Sequence, residues 1–85
     1  MWKQIVEGDH AAFADLYRHY HDGLLVYAIK LVHDNDLAQD IVHDVFAKIW
    51  QDRATLQIQT SVVSYLFTSV RYKFLNLHNR SKLKD

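Results

Sequence analysis

Cysteine and proline are absent from this 85-residue chain, and glycine occurs only twice. Without cysteine neither a disulfide framework nor a thiolate metal site is available, which fits a reducing compartment. Without proline, and with so little glycine, the many tight turns of a small sheet domain are disfavoured. A few long helices with short links are expected instead. No apolar run approaches the roughly 18 residues that a membrane span needs, and the start lacks a signal-peptide pattern. The chain therefore reads as a soluble cytoplasmic protein. It also lacks a glycine-rich phosphate loop and a nucleophile elbow, so no catalytic residue, cofactor or small-molecule substrate is assigned and no enzyme is expected.

What is present suits one small domain covering residues 1–85. Hydrophobic residues make up 49% and aromatics 13%, enough for a packed core and too rich for a disordered segment. The formal charge is zero but unevenly spread. Residues 1–52 hold nine acids against four bases, a net of −5, and residues 53–85 hold six bases against Asp85, a net of +5. Such asymmetry suggests two different partners, one of them a polyanion. A basic end is also common in proteins where it serves no purpose.

The pattern along the chain is helical. Trp2 to Glu7 reads as a short helix closed by Gly8, and Asp9 stands where the next helix needs an N-cap. Phe13, Leu16, Tyr17, Tyr20, Leu24, Tyr27, Ala28 and Leu31 then recur at spacings of three and four, one face of a helix. Gly23 falls inside it and suggests a kink or a close helix contact. His33 to Asn35 reads as a turn, with Asp34 or Asn35 as the next cap.

The segment from Asp36 to Trp50 has the cleanest period. Ala38, Ile41, Val42, Val45, Phe46, Ile49 and Trp50 make the apolar side, and Asp36, Asp40, His43, Asp44, Ala47, Lys48 and Gln51 the polar one. The pattern lapses from Gln51 to Thr60, a loop of about ten residues, long for a compact domain. A last helix is expected from Ser61 to Asn79, capped by Thr60 or Ser61, with Val63, Leu66, Phe67, Val70, Phe74 and Leu77 buried. Arg80 to Asp85 reads as a frayed tail. The expected fold is all-α: a compact bundle of three main helices with a short leading N-terminal helix.

Two constellations carry chemistry. Asp36, Asp40 and Asp44 form an acidic stripe whose like charges at i, i+4 cost a few tenths of a kcal/mol each. Asp36 is offset by the helix N-terminus and Asp44 is not. A basic partner surface would compensate, and so would a purely solubilising role. The last helix interleaves bases with aromatics, and among these Tyr65, Arg71 and Tyr72 lie off the core stripe. Arginine and lysine neutralise phosphates while aromatic faces stack on unpaired bases. Metal binding is poorly supported. His19 and His21 point about 200° apart on a helix. Asp40, His43 and Asp44 share a face, but no second helix supplies matching ligands.

Three stretches resemble a known family. Residues 34–50, DNDLAQDIVHDVFAKIW, are similar to the second conserved region of the extracytoplasmic-function (ECF) sigma factors. Residues 64–79, SYLFTSVRYKFLNLHN, resemble their −10-reading region in the form common among Bacteroidetes members. The opening EGDHAAFADLYRHYHDGLLVYA resembles the start of the same domain. The three occur in the family's order and spacing, over essentially the whole chain.

The resemblance implies a sigma region 2 domain that binds the core of bacterial RNA polymerase and recognises and melts the −10 promoter element. Asp40, His43, Asp44 and Lys48 would meet the clamp helices of the largest polymerase subunit. The family usually has glutamine at the place of His43, which makes that contact sensitive to protonation. The 52–62 loop, through Gln57 and Thr60, would hold a base flipped from the −10 element, a step costing a few kcal/mol of unstacking. Arg71, Tyr72, Lys73 and Asn76 would line the single-stranded path, with Tyr65 and Arg80 beside them, although many relatives carry asparagine where Tyr72 stands. A membrane-linked anti-sigma factor is a further implied partner. Nothing here resembles the family's second, −35-binding domain, so an isolated domain or a truncated chain is expected. The competing readings are a helical adaptor that binds only proteins and, third, a histidine-bearing metal sensor.

Overall fold

The computed structural model describes residues 2–58 and 61–84, leaving out the side chains of 78–84. Four helices follow one another: α1 (Trp2–Val6), α2 (His10–Val32), α3 (Asn35–Asp52) and α4 (Val62–Lys84). No strand occurs among the described residues. The fold is the all-α bundle of three main helices and a short leading one.

The first two connections take almost no chain, because single residues close one helix and open the next. Gly8 takes the left-handed conformation (φ 93°). Its amide then donates to the Ile5 carbonyl (2.9 Å) and that of Asp9 to Gln4 (3.0 Å), the paired bonds of a Schellman motif. Asp9 is at once the N-cap of α2, its Oδ1 accepting from the amides of Ala11 (3.0 Å) and Ala12 (3.1 Å). The second connection repeats the device. His33 adopts φ 55° and its amide donates to Ile29 at 2.7 Å. Asp34 caps α3 by accepting from the Leu37 amide at 3.1 Å, which decides between the two caps the sequence offered. Links this short force α2 and α3 to lie side by side and antiparallel.

Helix α2 packs on all three others, and α3 also packs on α4. The fully buried core comprises Ile5 of α1, Leu16, Leu24 and Ala28 of α2, Ala38 to Ile49 on the apolar side of α3, and Leu66 and Val70 of α4. No polar side chain is buried among the described residues. Rings fill the seam between the helices. Phe13 meets Phe46 (6.3 Å between centroids) and Trp50 (5.0 Å), Tyr17 meets Phe46 (4.8 Å), and Tyr27 meets Phe67 edge-on (5.3 Å).

The structure differs from the sequence reading in several places; Val63 and Phe74, expected in the buried stripe of the last helix, are only half-buried. Gln51 and Asp52 belong to α3, not to the loop. Helix α4 runs on to Lys84, past the expected end at Asn79, because no glycine or proline interrupts it. Leu77 is exposed rather than core. Tyr65 packs against the core instead of lying off it. The reason for Tyr65 is that α4 touches two helices, so the buried arc is wider than one stripe. Gly23 is exposed on an uninterrupted helix, and a Cβ there would meet open space. It makes no close contact.

Two substitutions follow from this backbone. Gly23→Ala restores helix propensity at an open site and should stabilise the fold by about 1 kcal/mol, raising Tm by about 4–8 °C. His33→Gly relieves a left-handed non-glycine and should stabilise by up to about 1 kcal/mol. Thermal unfolding followed by circular dichroism checks both, and a fall in Tm for either contradicts the backbone geometry.

Candidate functional site

The polar face of α3 stands in solvent as its periodicity requires. Asp36, Asp40, His43, Asp44, Ala47, Lys48 and Gln51 are all exposed, as are Leu37 and Gln39, while Ala38, Ile41, Val42, Val45, Phe46 and Ile49 are buried. Asp36 lies in the first turn, where the helix dipole favours a carboxylate. Asp44 has a partner that the sequence did not announce. Its Oδ2 lies 3.7 Å from Nζ of Lys73 on α4. The pair ties a residue of the acidic face to one of the basic helix. Both side chains remain partly in water, 41% exposed for Lys73 and 60% for Asp44, so screening keeps the attraction weak.

Beside this pair a groove of about 430 Å³ lies between α3 and α4. Val45 and Ile49 form part of its wall, Lys48 lies on the α3 side, and Tyr65, Thr68, Ser69, Tyr72, Lys73, Asn76 and Leu77 lie along α4. The spacing of Tyr65, Ser69, Tyr72 and Asn76 (i, i+4, i+7, i+11) is why one helix face presents all four. A second hollow of about 240 Å³ is lined by Thr68, Arg71, Tyr72 and Leu75. Tyr72 borders both and is 63% exposed, the most open of the large hydrophobic side chains described. Arg71 lines the second hollow and Lys73 the first, so each of the two cations shares a hollow with this open aromatic ring.

Five of the residues picked from sequence, Lys48, Tyr65, Tyr72, Lys73 and Asn76, therefore line one groove. Lys48, expected with the polymerase-facing acids, sits among the groove residues as well. Arg71 is exposed in the neighbouring hollow. Asp40 and His43 are exposed on α3 but line neither cavity. Gln57 is exposed on the segment after α3. Thr60 and the side chain of Arg80 lie outside the described residues. The sequence reading missed Thr68 and Ser69, although their position between Tyr65 and Tyr72 carried the signal. It also missed Arg53, whose guanidinium lies 4.0 Å over the Trp50 ring. Among the described residues no group of three or more histidine, aspartate or glutamate side chains is arranged to hold a metal ion. Nor is any described helix long and apolar enough to cross a membrane.

The Asp44–Lys73 contact yields a measurable expectation. A double-mutant cycle with Asp44→Ala and Lys73→Ala, read by urea unfolding, should give a coupling of about 0.2–1 kcal/mol that fades by about 1 M salt. A coupling of several kcal/mol, or one indifferent to salt, contradicts the exposed geometry.

Comparison with known proteins follows the same lines. The family described as Sigma-70 region 2 matches residues 16–83, from the second turn of α2 almost to the end of α4. Among curated proteins the RNA polymerase sigma factor YlaC of Bacillus subtilis (strain 168) is 30% identical over 66 residues, which is 78% of this chain and 38% of that protein. The chain thus spans well under half the length of this curated relative. No solved structure matches. With the family match covering most of the bundle and all of the groove, the chain belongs to the Sigma-70 region 2 family.

Proposed function

We propose that the chain is the region 2 domain of an extracytoplasmic-function sigma factor of the Bacteroidetes kind, which binds core RNA polymerase and recognises and melts the −10 promoter element. The observation that carries this reading is the groove between α3 and α4, where bases and aromatics converge beside an exposed acidic helix face. Two surfaces of opposite character share one helix pair, as a protein bridging a basic protein surface and a nucleic acid requires.

In this mechanism Asp40, His43 and Asp44 on α3 face the clamp helices of the largest polymerase subunit, with Lys48 at the edge of the contact. His43 stands where the family usually has glutamine and fills the same place. The melted −10 strand lies along α4. Tyr72 stacks on an unpaired base, Arg71 and Lys73 neutralise its phosphates, and Tyr65 and Asn76 line the same path. Gln57 and Thr60, between α3 and α4, hold a flipped base, and Arg80 extends the basic track. Stacking and phosphate neutralisation offset the few kcal/mol lost in unstacking the duplex. A membrane-linked anti-sigma factor is the expected antagonist of such a protein, and the cytoplasm is where it would act. No cofactor or small-molecule substrate enters this scheme, and no residue is assigned a catalytic role.

The test is binding of a forked duplex with a single-stranded −10 tail to the chain plus bacterial core polymerase, measured across salt. Asp40→Lys with Asp44→Lys should abolish association with the polymerase. Tyr72→Ala should weaken DNA capture by about 1–3 kcal/mol at an unchanged salt slope, and Lys73→Met should lower that slope by about one. Polymerase binding without any DNA capture would favour the protein-only adaptor.

A further inference from the structure

The loop that leaves α3 begins with a residue whose placement the scheme above does not use. Arg53 is the first residue past α3. Its guanidinium carbon lies 4.0 Å over the Trp50 ring and its Nη1 donates to the Trp50 carbonyl at 2.6 Å. Its Nη2 lies against the α1–α2 turn, 3.9 Å from where a Cβ on Gly8 would stand. Its Nε is buried and makes no hydrogen bond. Two of the three guanidinium nitrogens thus point into the protein, the opposite of what a phosphate contact needs. The platform beneath is itself fixed, because Trp50 packs on His10 (4.8 Å) and Phe13 (5.0 Å) of α2. The residues that follow are tied down too. The Asp52 carbonyl accepts from the amides of Thr55 (3.0 Å) and Leu56 (2.8 Å) and from the Thr55 hydroxyl (3.2 Å). Leu56 then packs against the core.

We propose that Arg53 is a positioning residue for the DNA-reading loop, clamping the exit of α3 between Trp50 and the Gly8 turn so that residues 53–58, with Gln57, leave in a fixed direction. The proposal rests on the functional reading above. Arginine is required because only a planar guanidinium covers an indole face and donates to that residue's carbonyl at once. A lysine supplies the charge without the plate. The short α1 acquires a purpose as well. Its closing glycine supplies the left-handed turn, and the guanidinium lies beside it at the distance of an ordinary contact for a Cβ at that position.

The experiment compares Arg53→Lys and Arg53→Ala with the unaltered chain, each with bacterial core polymerase and a forked duplex whose single-stranded tail is randomised over the −10 positions. Both variants should capture the forked DNA about ten-fold more weakly, with an unchanged salt slope and polymerase affinity within about two-fold. In a Trp2→Phe background the emission of Trp50 should shift in both variants. Capture at full strength by Arg53→Lys, or a salt slope reduced by about one in Arg53→Ala, would make Arg53 a phosphate contact and overturn the assignment. Parallel loss of Tm and polymerase affinity would reduce it to general stability and overturn it too. Variants equal to the unaltered chain sink this proposal alone. Failure of the unaltered chain to capture DNA sinks the functional reading along with it.

Discussion

The seam in which Phe13 and Tyr17 of α2 meet Phe46 and Trp50 of α3 sets the geometry on which the rest of the molecule depends. Rings of this size bury large areas, and tilted or edge-on contacts add to the burial energy, so the seam fixes both the spacing and the rotation of the two helices. Rotation matters most. Once Phe46 and Ile49 face inward, Asp40, His43 and Asp44 have no choice but to face water. The same rotation turns Val45 and Ile49 toward α4, where they become the apolar wall of the groove. Trp50, at the end of the seam, is also the plate under Arg53. Core packing and candidate chemistry are therefore two sides of one helix.

Charge plays a different part from packing. The described core contains no polar side chain, and the ion pairs recorded lie at the surface. Exposed pairs contribute little to stability and exchange readily with other partners. The Asp44–Lys73 contact is of this kind, and it joins the two surfaces assigned to different partners in the proposed function. Under the proposed function, a basic protein surface approaching Asp44 would compete with Lys73, and a phosphate approaching Lys73 would compete with Asp44. The intramolecular contact also answers the cost of the acidic stripe, because Lys73 offsets the repulsion at Asp44 that the helix N-terminus does not reach.

What the sequence made legible were features set by local physics. Asp9 and Asp34 announce themselves as caps because a short carboxylate satisfies free amides at a helix start. The inward side of α3 was readable because one helix burying one stripe leaves a regular period. Less legible was whatever depended on a neighbour. Tyr65 looked like a surface residue because α4 was read as burying a single stripe, whereas contact with both α2 and α3 buries a wider arc. Leu77 looked like core because the period continues there, but full burial on α4 stops at Val70. Gln51 and Asp52 carry no apolar signal, so nothing in their chemistry marked them as a last turn of α3. The Lys73–Asp44 pair is a long-range contact with no periodic signature, and the Arg53–Trp50 contact, though at i, i+3, falls where the apolar period had already ended.

That division explains why the candidate site was found by residue type more readily than by arrangement. A base or an aromatic advertises what it can bind, but whether five such residues share a groove depends on how α3 and α4 are rotated against each other. Here the rotation is imposed by buried rings and aliphatics, of which Val45 and Ile49 also form a wall of the groove. A substitution such as Phe46→Ala would therefore disturb binding through orientation as well as stability, since the cavity it leaves frees α3 to rotate. Exposed Tyr72 is the contrasting case. It borders both hollows, and 63% of its surface is open, so its loss changes what the groove holds and leaves the helices where they are. Arg53 stands between these two cases, a half-buried charge held against the half-buried Trp50 ring that packs on the core.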